Sequence, residues 1–145
     1  MEEIAYHYQT EFSLKDENKH TDWIIRVVKG FGRDIGVLNF IFVSDEGLLE
    51  MNQKYLSHDY FTDIITFEYE EMDGLSGDLF ISADRVIENA ADLKCDVRSE
   101  MRRVMVHGVL HLLGHQDKSK EEERNMRRLE EEGLKLFHVK HNSDV

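Results

Sequence analysis

Two histidines four positions apart, His107 and His111, followed by Gly114 and Asp117, are the residues of this sequence best suited to holding a metal ion. On a helix, side chains at i and i+4 lie one turn apart on the same face. That is the geometry in which two imidazole nitrogens reach one ion at about 2.0–2.1 Å. Val104, Met105 and Val106 precede the pair and Val109 and Leu110 lie inside it, so the helix is expected to be largely buried. A helix that ran on would carry residue 117 away from the ion. Gly114 lets the chain turn back, because glycine adopts the left-handed conformation that ends helices. The turn can return either His115 or Asp117 as the third ligand.

The pattern His-xxx-His-xx-Gly-xx-ligand has the spacing of metzincin-type zinc hydrolases, in which the last ligand is usually His. With Asp117 in that place, His107, His111 and Asp117 would hold one Zn²⁺ and leave a fourth position for water, whose pKa a bound zinc lowers towards neutrality. The chemistry expected is hydrolysis. A structural zinc site would instead close all four positions, usually with several cysteines, and Cys95 is the single cysteine of the chain. Zinc peptidases of this shape carry Glu directly after the first His as general base. Here that position is Gly108, which argues against peptide hydrolysis.

The elements that must position these residues can be read from patterning. Ile4 to Tyr8 reads as a short strand. Asp16 to Phe31 places Trp23, Ile24, Val27, Val28 and Phe31 at helical spacing and ends at Gly32. Asp34 to Val43 is rich in β-branched and aromatic residues, as a strand should be. Ser44 is a good N-cap for a helix through Leu56, with Asp45 and Glu46 favoured in its first turn. Asp63 to Tyr69 and Asp78 to Ser82 are the remaining strands, separated by a turn from Met72 to Gly77. Helices follow over Asp84 to Leu93, Val97 to Leu113 and Ser119 to Phe137. No linker, repeat or low-complexity stretch interrupts the chain. The expectation is one α+β domain over residues 1–145, with four strands and about five helices.

The chain has 145 residues, 41% of them apolar, enough for one modest core. No apolar run approaches the ~20 residues that cross a bilayer. The acidic start, Met-Glu-Glu-Ile, shows no signal peptide. With a lone Cys95, this points to the reducing cytoplasm. The formal charge of −12 repels nucleic acid unless positive charge is concentrated. It is uneven: Tyr55 to Asp84 holds eight acids and no Lys or Arg, while Lys94, Arg98, Arg102 and Arg103 gather before the histidine pair and Arg124, Arg127 and Arg128 follow it.

Three segments carry a family resemblance. Met51-Asn-Gln-Lys-Tyr55 with Thr62-Asp-Ile-Ile-Thr-Phe67, Gly77-Asp-Leu-Phe-Ile-Ser82, and His107-Gly-Val-Leu-His-Leu-Leu-Gly114 occur in order and are similar to motifs of the YbeY family of bacterial rRNA maturation factors. The resemblance runs from about Ile35 to about Glu132. It implies a mixed-sheet fold with a cleft beside the metal, and a zinc-dependent endoribonuclease of single-stranded RNA. It further implies a role in 16S rRNA 3′-end maturation and ribosome quality control, with the small subunit or ribosomal proteins as partners. Three positions depart from the pattern: Asp117 stands where the third ligand is usually His, Leu56 where the family has Arg, and Phe61 where it has Pro.

For phosphodiester hydrolysis, Arg98, Arg102 and Arg103 are candidates for holding the RNA backbone, since Arg matches phosphate geometry in bidentate fashion. Arg103 lies one turn before His107 and shares its face, whereas Arg102 does not. Glu100 also points that way as a partner for the site. Catalytic residues beyond the ligands are not assigned, with Arg103 and His115 as candidates and His58 a further proton donor. Two other readings stand beside this one: a non-catalytic ribosome assembly factor whose metal fixes a surface, with acidic Tyr55 to Asp84 facing a basic ribosomal protein, and a zinc hydrolase of another substrate. His7, His20, His138 and His141 are expected at the surface, and the polar tail after Phe137 to be frayed.

Overall fold

The protein is described from a computed structural model, over residues 3–58 and 60–139. Asp59, one of the eight acids between Tyr55 and Asp84, and the expectations for His141 and for the tail from residue 140 lie outside the described residues.

Strand β2 (Ile35–Val43) explains the architecture. Its sequence, Ile-Gly-Val-Leu-Asn-Phe-Ile-Phe-Val, is an almost unbroken apolar run, as befits a strand covered on both faces. It pairs in parallel with β1 (Glu3–Tyr8) on one side and β4 (Leu75–Ser82) on the other, and β4 pairs antiparallel with β3 (Ile64–Glu68). The sheet order is therefore β1-β2-β4-β3, mixed and four-stranded, as expected. Five helices complete the described residues: α1 (Glu17–Gly30), α2 (Asp45–Leu56), α3 (Ala83–Leu93), α4 (Val97–Leu112) and α5 (Lys120–Phe137).

Alternation along β2 divides the interior. Leu38, Phe40 and Phe42 join Trp23, Ile24 and Val27 of α1 and Met101, Val104, Met105 and Val109 of α4 in the larger core. Ile41 and Val43 face the other way, with Leu48 of α2 and Ile65 of β3. Leu110 of α4 packs on Met126 and Leu129 of α5. Helix α4 is thus covered by the sheet and by α5, and burial of its apolar side chains contributes ~1.5–3 kcal/mol each.

Two observations depart from the expectations. Strand β4 begins at Leu75, so Gly77 belongs to the strand and not to the turn. A Cβ at Gly77 would lie 2.5 Å from the Phe67 carbonyl oxygen and 3.3 Å from Leu112 Cδ2, so its absence lets β3 and α4 close on β4. His20, expected at the surface, is 4% exposed. Its Nδ1–H donates to the Asp16 carbonyl at 2.9 Å and its ring packs on Phe137 and Trp23. It continues the apolar stripe of α1 one turn before Trp23. Among the described residues, no helix is long and apolar enough to cross a membrane.

Candidate metal centre

The site is built on the end of α4 and the turn that follows. Gly114 has φ 101°, with its N–H on the His111 carbonyl at 2.9 Å and the His115 N–H on the Leu110 carbonyl at 3.0 Å. This pair of bonds is the Schellman arrangement that closes a helix on a left-handed residue. The chain then re-enters helix at α5 through a capping box between Ser119 and Glu122, a device whose cap alone contributes ~1 kcal/mol. Asp117 sits in the short connector fixed at both ends by these caps.

His107 Nε2 and His111 Nε2 lie 3.0 Å apart, and Asp117 Oδ2 is 3.4 Å from each. A tetrahedral ion with ligands at 2.0–2.1 Å has donors about 3.3–3.4 Å apart; the two sides that end on Asp117 match this, and the His107–His111 side is somewhat shorter. The proton positions argue likewise. Glu130 of α5 accepts from His107 Nδ1 at 2.5 Å, which assigns the ring proton to Nδ1 and turns the Nε2 lone pair towards His111 and Asp117. Burial first, and then neighbouring His107, push the His111 pKa below its ordinary 6.5, favouring the neutral ring that binds metal. Two nitrogen lone pairs and a carboxylate converging in this way are relieved by a shared cation. These three side chains form a candidate metal site.

Glu130 was not singled out from sequence. The signal available was a carboxylate on the buried stripe Met126, Leu129, Glu130, Gly133, Phe137 of α5. Glu100 is buried as well, but it serves Arg103, whose Nε and Nη2 donate to its two oxygens at 2.9 and 2.7 Å. Arg103 Nη1 reaches Glu130 at 3.3 Å, and Nη2 lies 3.8 Å from Asp63. The guanidinium is therefore committed to three carboxylates, and is not a free phosphate clamp. Arg102 turns to the opposite side, 4.1 Å over the Phe137 ring, and with Arg98 lines a separate cavity. His115 packs on Phe31 at 5.3 Å between ring centres, outside the donor triangle.

A cleft of about 500 Å³ opens over the donors, walled by Asn52, Leu56, His58, Tyr60, Thr62 and Asp63. Burial raises the Asp63 carboxyl above its ordinary 3.8, against the opposing pull of Arg103 and His107. His58 Nδ1 lies 2.9 Å from the Tyr60 hydroxyl, on the outer lip.

Gly108 proves to be a packing residue. A Cβ there would lie 2.5 Å from Ile64 Cδ1 and 2.8 Å from Leu79 Cδ2, so the helix rests directly on β3 and β4 at that point. A glutamate at position 108 would strike Ile64 and Leu79 of the sheet.

Fold and donor set together define a class: an α+β protein with an open two-histidine, one-aspartate candidate metal centre. A family model described as endoribonuclease YbeY matches residues 5–138. Curated proteins called endoribonuclease YbeY are 45% identical in Flavobacterium psychrophilum, covering 96% of this chain and 99% of that one, and 44% identical in Bacteroides thetaiotaomicron, covering 92% and 99%. The solution structure of TM1509 from Thermotoga maritima superposes with a TM-score of 0.68 at 25% identity, covering 92% of this chain and 88% of that one. The chain belongs to the YbeY family of endoribonucleases, which are hydrolases.

Proposed function

We propose that this chain is a single domain over residues 1–145 that cuts single-stranded RNA with one Zn²⁺ held by His107, His111 and Asp117. Its place would be the cytoplasm, in maturation of the 16S rRNA 3′ end and in ribosome quality control, with the small subunit or its proteins as partners. The observation that carries the reading is the convergence of three donor atoms beneath an open cleft, one of them oriented by buried Glu130.

A bound zinc supplies Lewis acidity towards a phosphoryl oxygen and lowers the pKa of a water in the position the protein leaves open. The rest falls to the chain itself. Glu130 fixes the tautomer and the ring orientation of His107. Asp117 lowers the net charge of the site. Arg103 neutralises Glu100 and Glu130, which would otherwise be buried anions without a counter-ion. Asp63 lines the same cleft as the three donors, and in this reading its carboxylate would take up a proton from water there, the task Gly108 cannot perform.

Purified protein with stoichiometric zinc is expected to cut single-stranded RNA. His111→Ala should abolish cutting while the circular dichroism spectrum is retained. Equal activity in both would identify a contaminating nuclease and overturn the assignment. The absence of Lys and Arg from the cleft residues favours a second reading, a non-catalytic assembly factor. That reading expects zinc-loaded protein to bind ribosomal protein or rRNA while leaving RNA uncut.

A further inference from the structure

The wall of the cleft around Leu56, His58 and Tyr60 is aromatic and apolar, and holds no Lys or Arg. Leu56 and Tyr60, which line the cleft, are 41% and 55% exposed, and their chain neighbours Tyr55 and Phe61 are 58% and 48% exposed. Water-facing apolar surface gathered beside a reactive centre marks a binding surface. Around the cleft, Arg103 is held by Glu100 and Glu130, Arg85 lies over Phe61 and is paired with Asp45, Lys54 lies over Tyr55, and Arg127 lines the neighbouring cavity. The chain as a whole carries −12. Counter-ion release, the usual source of affinity for a polyanion, therefore draws little on the cleft wall itself.

Tyr60 is arranged as a platform. Its ring stacks on His58 with centroids 5.0 Å apart and planes 20° from parallel, and more than half of its surface still meets solvent. The ring pair is tied by the 2.9 Å contact between the Tyr60 hydroxyl and His58 Nδ1. Beneath it, buried Asn52 donates from Nδ2 to the Tyr60 carbonyl at 2.9 Å, so the main chain that carries the platform is anchored to α2. Leu56 lies on the same wall.

We propose that Tyr60, stacked on His58 with Leu56 beside them, is a subsite for an unpaired base of the RNA strand. On this account stacking, and not phosphate pairing, seats the strand over the donors. The proposal rests on the endoribonuclease reading and supplies its strand selectivity: a duplex keeps its base faces inside the helix, whereas an unpaired base can splay onto an aromatic ring.

The test uses zinc-loaded protein and a labelled single-stranded oligoribonucleotide with hydrolysis-resistant phosphorothioate linkages, followed by fluorescence anisotropy. Tyr60→Ala should weaken binding roughly 5- to 150-fold, the effect of losing one stacked base, while Tyr60→Phe stays within about threefold because the ring is kept. Ile87→Ala, an exposed apolar residue elsewhere, should bind as wild type. An abasic oligonucleotide should bind weakly and respond little to Tyr60→Ala. Raising salt from about 50 to 200 mM should cost less than about tenfold, against the 10³–10⁵ expected for many phosphate contacts. Wild-type affinity in Tyr60→Ala, with unchanged melting temperature, would overturn the proposal, as would an equal loss for base-bearing and abasic strands. Failure of the nuclease reading looks different: native RNA would be bound through Tyr60 and left uncut. Failure of the stacking subsite alone would show as cutting with unchanged KM in Tyr60→Ala.

Discussion

Glu130 of α5 holds Nδ1 of His107 on α4, 23 residues away in sequence, at 2.5 Å. The C-terminal helix thereby sets the orientation of the first metal donor. Removing an outer carboxylate of this kind lowers metal affinity by roughly 10- to 100-fold. Glu130→Ala is therefore expected to lose zinc to a competing chelator over that range, and Glu130→Gln, which can still accept the hydrogen bond, over a smaller one. Chelator titrations that superpose with wild type would remove Glu130 from the site.

Asp117 is the donor supplied by the connector, and its contribution is readable from heat stability. A ligand at one hundred times its Kd stabilises the folded state by about 2.7 kcal/mol, or roughly 5–10 °C for a domain of this size. Zinc should raise the melting temperature of wild type by such an amount. Asp117→Ala should lose most of that rise, and Asp117→His should keep it, since imidazole is an equally good zinc ligand. A full zinc-dependent rise in Asp117→Ala would leave the aspartate without a coordinating role.

Gly108 and Gly114 are expected to respond to alanine for different reasons. At Gly114 a Cβ meets nothing within 4 Å but φ is 101°, so Gly114→Ala should cost ~1–2 kcal/mol from the left-handed backbone alone. At Gly108 the backbone is ordinary helix and the added atom strikes Ile64 and Leu79, so overpacking of ~1–3 kcal/mol is expected. Gly108→Glu should therefore destabilise the protein without conferring peptidase activity. Urea melts and a peptide substrate panel decide both points.

Burial lowers the His20 pKa below its ordinary 6.5. The unfolded chain then binds more protons than the folded one in the window between the two values, so stability rises with pH there. The His20 contribution is complete above about pH 6.5 and is lost as pH falls below it. Asp63 has the opposite sign: its raised folded pKa adds stability below its ordinary 3.8 that disappears as pH rises through the folded value. The His20 contribution should lower the urea midpoint of chelated protein at pH 5 relative to pH 7.5, and His20→Leu should remove that part of the difference. An unchanged slope in the variant would assign it to other groups.

What was legible in the sequence was local. The His107–His111 spacing, the bend at Gly114 and the cap at Ser119 are set by neighbours within a few residues, and the helix and strand signals around them gave nearly every element. The start of β4 was misplaced because Gly77 looks like a turn residue until Phe67 and Leu112 are seen pressed against it. The roles that sequence left hidden depend on distant partners. Glu130 finds His107 only because α5 folds back on α4, and Arg103 is occupied by carboxylates from α4, α5 and the approach to β3. Gly108 was read for a missing base, whereas its meaning lies in the side chains of β3 and β4 beneath it.

Residues 107 to 130 form one helical hairpin, and that hairpin alone contributes the three donors and the carboxylate that aims His107. The lip that would receive a nucleic acid comes from α2 and the approach to β3, far upstream. Retention of the ion and handling of the strand are thus separable in the chain: damage at Leu56, His58 and Tyr60 should yield protein that keeps its zinc and has lost its grip on the substrate.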